Sequence, residues 1–268
     1  MLHPRSFTPA RLTAGAAALA LCATAGAAQL TLNLTVENLA PGNSISFAPL
    51  HLGFNNGSFD AFNSGQTPTA QIISVAEGGS GSAWHPAFAA TDPGATRGTI
   101  AGRLDSGQTR SATFQVDPQA NPFFTFASMV VPSNDFFIGN DSPTRYRLFD
   151  AAGNLLLSSI EQTAADIWDA GSELFDPAAA AFVGNNNLRT PQNGVVSANF
   201  AELAGFDGLP TAAGYVFTSG LAADTNVYRI RFEVVPEPGT YALIAGGLLA
   251  VGWSTRRRRP PSSSVASA

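Results

Sequence analysis

The body of this sequence predicts an all-β fold, an antiparallel β-sandwich, and three observations carry that prediction. Short runs rich in Val, Ile, Phe and Thr recur through residues 29–235, each bounded by Gly, Asn, Asp or Pro. No long amphipathic helix and no repeat of fixed period interrupts them. The first run alternates cleanly, with Leu30, Leu32, Leu34 and Val36 on one face and Thr31, Asn33 and Thr35 on the other. A period of two is the pattern of a half-buried strand.

In chain order, residues 29–37 form that first strand, and residues 44–51, 70–75, 98–104, 110–116 and 123–131 supply the next five. Residues 145–149 and 155–158 flank Asp150-Ala151-Ala152-Gly153-Asn154, whose composition is that of a hairpin turn. Residues 195–200, 214–218 and 226–235 complete the set. Residues 161–187 are the exception, a helical turn within a long surface loop, and long loops on sandwiches carry function. No linker-like block separates two apolar halves, so residues 29–235 read as one domain.

The two ends read as addresses. Arg5 and Arg11 precede an apolar, alanine-rich run ending in Ala25-Gly26-Ala27, the order of a cleavable signal peptide over residues 1–28. At the other end Pro236-Glu237-Pro238 leads into an apolar stretch from Gly239 to Trp253, which reads as a short apolar helix, and then into Arg256-Arg257-Arg258-Arg259. That stretch is short for a full membrane span, and the arginines behind it act as a cytoplasmic stop. Between the ends the chain carries eight arginines, no lysine and eighteen acids, a net charge of −10. So acidic a body is unsuited to phosphate backbones, which excludes nucleic acid as a partner. The single cysteine, Cys22, falls in the leader, so the mature body has no thiol nucleophile, disulfide or Cys-based metal site.

The tripartite C-terminus, residues 236–260, resembles the PEP-CTERM sorting signal of Gram-negative bacteria. That resemblance implies an exosortase-type processing enzyme as partner and transient anchoring in the inner membrane. The mature protein would then lie in the envelope, at the cell surface or outside the cell.

Three strings in the body carry a second resemblance. They are Leu34-Thr35-Val36-Glu37-Asn38-Leu39 with Ser46-Phe47-Ala48-Pro49-Leu50, then Ser128 to Gly139 with its core Val131-Pro132-Ser133-Asn134-Asp135-Phe136-Phe137, then Asp169-Ala170-Gly171-Ser172-Glu173. They resemble the spondin N-terminal domain, the F-spondin/mindin module. The resemblance implies a C2-like or jelly-roll sandwich with a bound Ca2+, held by Asp135, Asp169 and Glu173, with Glu77 as a weaker fourth ligand. Asn134 and Phe136 stand where the family pattern has Pro and Trp, and Glu173 where it has Asp. The chemistry is consistent with this, because calcium takes six to eight oxygens from carboxylates and carbonyls on loops. Gly171 between Asp169 and Glu173 lets the backbone fold back so that both side chains face one point.

Catalytic alternatives have less support in the residues. His51 and His85, the only histidines after the leader, lie outside any zinc-binding spacing, and His51 within an apolar run reads as structural. Trp84-His85-Pro86 reads as loop packing. Gly79-Ser80-Gly81-Ser82 lacks the last glycine of a nucleophile elbow and reads as a flexible loop. Asp105-Ser106-Gly107 reads as a hairpin turn, since an acid-protease site needs two such loops. Two function classes follow. One is a non-enzymatic, calcium-binding adhesion or matrix-associated module, with exopolysaccharide or cell-surface components as partners. The other is an envelope hydrolase acting on matrix polysaccharide with paired carboxylates.

Overall fold

Alternation along the first strand places Leu32, Leu34 and Val36 in a closed apolar layer, and the rest of the fold is built against it. The computed structural model describes residues 29–236. Its strands are β1 (Leu30–Asn38), β2 (Ser46–Phe47), β3 (Leu50–Asn55), β4 (Thr96–Ile100), β5 (Thr109–Val116) and β6 (Phe123–Val131). They continue with β7 (Phe136–Gly139), β8 (Tyr146–Arg147), β9 (Ser159–Thr163), β10 (Ile167–Asp169), β11 (Ser197–Ala198) and β12 (Asn226–Val235). Four of them make one sheet in the order β5-β1-β12-β9. The other sheet runs β11-β10-β7-β6-β3-β4, with β2 and β8 also on β6. The pairings between these strands are antiparallel.

The two sheets face each other across a core of aromatic and branched side chains. Phe124 of β6 meets Phe232 of β12 with ring centroids 5.0 Å apart, and Phe54 of β3 meets Phe114 of β5 at 5.8 Å. Such edge and tilted aromatic contacts add to plain area burial. The outer face of the larger sheet is covered as well. Two short helices, α1 (Ala70–Gly78) and α2 (Trp84–Thr91), pack Ile72, Val75, Trp84 and Phe88 into a second apolar cluster with Phe137. This two-sided cover explains why β6 is apolar almost throughout and buried on both faces instead of alternating.

Several expected elements differ. Residues 70–75 are helix, not strand: Ile72, Val75 and Ala76 recur at helical spacing, Thr69 caps the N-terminus through Ile72 N–H, and Gly79 closes it at φ 59°. Trp84-His85-Pro86 opens α2, where a proline in the first turn is tolerated. The expected strand at 44–51 breaks at Ala48-Pro49 into β2 and β3. Residues 155–158 and 214–218 make no strands, only isolated bridges from Leu155 to Phe149 and from Val216 to Pro210. Asp105-Ser106-Gly107 is a turn, closed by Gln108 N–H on the Asp105 carbonyl, but it joins strands of different sheets and so is not a hairpin. Within 161–187 the expected loop is shorter than its sequence implied, because β9 runs to Thr163 and β10 occupies Ile167–Asp169.

Candidate metal centre

The Asp135 carboxylate sits at the turn from β6 into β7 and is nearly inaccessible, 3% exposed. Three donors from the loop after β10 converge on its Oδ2: Ser172 N–H at 2.7 Å, Glu173 N–H at 2.9 Å and Ser172 Oγ–H at 3.1 Å. The next loop residues are held by Asn134, whose Oδ1 accepts from Asp176 N–H at 3.1 Å and whose Nδ2 donates to the Asp176 carbonyl and to Glu173 Oε1. Asp169 ends β10, and its Oδ1 accepts from Gly171 N–H at 2.7 Å. Gly171 itself is at φ 68°, and a Cβ there would lie 2.7 Å from the backbone N and O of Val195. No other residue fits that position without moving the facing backbone at Gly194 and Val195.

Beside these residues lies a cavity of ≈ 190 Å³ lined by Asp135, Asp169, Glu173 and Glu202 together with Asn134, Asn199 and Gln192. The first three are the acids expected from sequence, and the fold brings them to one place. Glu202 was not expected. It comes from a 3-10 turn (Phe200–Phe206), and Asn199 ties it in by donating to both Asp169 Oδ2 (3.2 Å) and Glu202 Oε2 (3.1 Å). In sequence the only hint was the Asn199-Phe200-Ala201-Glu202 spacing of a helix start, which says nothing about proximity to Asp169. Glu77 is not part of the lining. It lies on α1, where its carboxylate pairs with Arg189 at 2.6 Å.

Burial dominates the electrostatics. Desolvation pushes the Asp135 carboxyl up to about 7, with the nearby Asp169 charge adding to the rise and the three hydrogen bonds opposing it. Glu173 and Glu202 are also raised by desolvation, Glu202 further by Asp169. None of the lining residues is basic. The donor set is all oxygen, which is the set a hard divalent cation takes. The side chains are not closed on a single point, however: among the described residues no group of three or more acids or histidines is gathered tightly enough to ligate a metal as it stands.

The two histidines sit elsewhere and are satisfied. His51 Nε2 donates to the Gly79 carbonyl at 3.0 Å, which leaves Nδ1 to accept from Thr99 Oγ–H at 3.1 Å. His85 Nε2 is 2.9 Å from the same Thr99 hydroxyl.

Comparison with protein families matches residues 234–258 to the PEP-CTERM protein-sorting motif. The chain carries a sorting signal. It is an exported protein handled by exosortase-type processing, bound for the cell envelope or surface. Comparison with curated proteins finds no match to the chain. Of the matched residues Val234, Val235 and Pro236 are described, whereas Glu237, Pro238, the apolar segment and the arginine run lie outside the described residues, as does the expected signal peptide over residues 1–28. Among the described residues no helix is long and apolar enough to cross a membrane.

Proposed function

We propose that the exported body is a non-enzymatic, spondin-like, calcium-binding module that serves in adhesion to matrix or cell-surface components after transient anchoring in the inner membrane. The observation that carries the metal reading is the convergence of four carboxylates, three of them with raised proton affinity, on one cavity whose lining includes no basic residue. Asp135, Asp169, Glu173 and Glu202 would hold the ion, with Gln192 as a neutral donor beside them and Asn199, which donates to Asp169 and Glu202, keeping those two carboxylates in place. A bound calcium would supply the positive charge that this cavity lacks. The chain's own residues prepare for it: Asp135 and Asn134 already pin the loop through Ser172, Glu173 and Asp176, so the acids are held near one another before any ion arrives.

The geometry favours an ordering role over catalysis. Oδ2 of Asp135 is engaged by three donors and so is poorly placed to exchange protons with a substrate. The cavity, at ≈ 190 Å³, is also smaller than the ~300 Å³ lower bound usual for small-molecule pockets.

The test is thermal. Calcium binds the folded state alone, so the melting temperature should climb with the logarithm of calcium concentration above saturation. Asp135→Asn should remove most of that climb. Equal calcium responses in parent and variant would exclude this site.

A further inference from the structure

The matched sorting motif, residues 234–258, begins within the last two residues of β12 in the four-stranded sheet, with no spacer between them. β12 is an inner strand of the small sheet, paired with β1 on one side and β9 on the other. Its register with β1 continues to the last residue: Glu233 faces Asn33, Val234 faces Leu32 and Val235 faces Thr31. Pro236 follows at once. The pairing on the β9 side stops earlier, with Arg231 opposite Ser159 and a final bond from Phe232 N–H to the Ser158 carbonyl at 2.9 Å. Residues 233–235 are therefore held along one edge only.

Their side chains add little. Tyr228, Ile230 and Phe232 point into the core and are at most 2% exposed, but the next position of that series, Val234, is 42% exposed, and Val235 is 40% exposed. The core thus ends at Phe232, and the three residues beyond it hang on a single ladder. Terminal segments with few buried contacts open locally at little cost in free energy. Three residues of extended chain span ~10 Å, enough to move the motif clear of the folded body.

We propose that the processing enzyme obtains its segment by peeling residues 233–235 of β12 away from β1, so that the strand end serves as a retractable tether for the sorting motif. This rests on the reading of residues 234–258 as a processed sorting signal.

The pair Thr31 and Val235 allows a direct test, because directly opposed residues in an antiparallel ladder lie ~4.5–5.5 Å apart at Cα, within disulfide range. The only native cysteine, Cys22, lies in the leader and does not compete in the mature body. The full precursor carrying Thr31→Cys and Val235→Cys is expressed in an exporting host that has the processing enzyme, and trimming is followed by intact mass in a pulse–chase. In the oxidising periplasm the clamped chain should be trimmed at least about tenfold more slowly than the parent. The Thr31→Ser/Val235→Ser control should match the parent, and a flexible spacer of about six residues placed after position 235 of the clamped chain should restore trimming. Trimming of the clamped chain at the parent rate, or a clamp that the spacer fails to relieve, overturns the tether. A parent that is never trimmed overturns the sorting reading and the tether with it.

Discussion

At Asp135 two opposing tendencies meet in one carboxylate: burial favours the neutral acid, while three hydrogen bonds favour the anion, and burial prevails to bring the group to about 7. In the calcium-free protein the fold therefore prefers the protonated form. That contribution to stability is complete below the ordinary carboxylate range and is lost as pH rises through about 7. Calcium requires the anion, so proton and ion compete. Calorimetric affinity should be flat above pH 8 and weaken by up to about tenfold per unit below pH 7, and a pH-independent affinity would remove Asp135 from the ligand set. His51 acts in the opposite sense. Burial lowers its pKa below 6.5, so its neutral form is favoured by folding, and the associated stability is present above 6.5 and lost as pH falls through the lower folded value. In urea titrations with chelator, His51→Gln should make the acid-side loss shallower than in the parent. Gly171→Ala should cost about 2 kcal/mol or more, because it combines a strained positive φ with contact against the Val195 backbone. The acids of the site were legible as a set only through the resemblance of their strings. Asn199 and Glu202 were not legible, because Asp169, the acid they join, is thirty or more residues away and nothing in their own sequence marks that.

At the scale of elements, the stretch 161–187 divides at Asp169. Upstream, β9 and β10 are bound into sheets. Downstream, residues 172–192 lie outside both sheets and are held by scattered bonds, such as Leu174 N–H to Thr190 O, Gln192 N–H to Ser172 O and the pair exchanged by Ser133 and Ala181. Limited proteolysis with chelator should therefore cut within 172–192 and spare 159–169, with calcium suppressing the new cuts. Cuts spread across the sandwich would mean that the ion holds the whole fold. Long strands were readable element by element: β6 matches its expected bounds, and β12 also does, because continuous or alternating apolar runs leave no competing pattern. The helix at Ala70–Gly78 was not readable as one, since Ile72, Ile73 and Val75 are strand-formers by local preference. What turns them into a helix is the outer face of the larger sheet, which offers Phe137 and Ala127 as a surface to cover. The two-residue β2, β8 and β11 fall inside the longer runs expected at 44–51, 145–149 and 195–200, and are short because β2 and β8 pair only with the ends of β6, beyond its β3 and β7 partners, and β11 with two residues of β10.

For the whole molecule, about 200 residues of sandwich bury a core large enough to fold without a metal. Chelation should accordingly lower the melting temperature while preserving the far-ultraviolet circular dichroism of a β protein, and collapse of that spectrum would assign the ion a global role. Phe124→Ala, which empties the contact between the sheets, should cost about 3–5 kcal/mol whether or not calcium is present. Composition and end signals settle the class of molecule from sequence: an acidic, lysine-free β body with a sorting motif behind it, because charge balance, period-two alternation and the order of a motif's parts are local properties of the chain. Which acids share a cavity is not local. Asp135, Asp169, Glu173 and Glu202 line one cavity because β7 and β10 are neighbours in one sheet and Asn199 ties the Phe200–Phe206 turn to Asp169, while Glu77, equally acidic, is paired with Arg189. Sheet order and loop return bring distant segments together through long-range burial and hydrogen bonding, and those energies exist only once the chain has closed on itself.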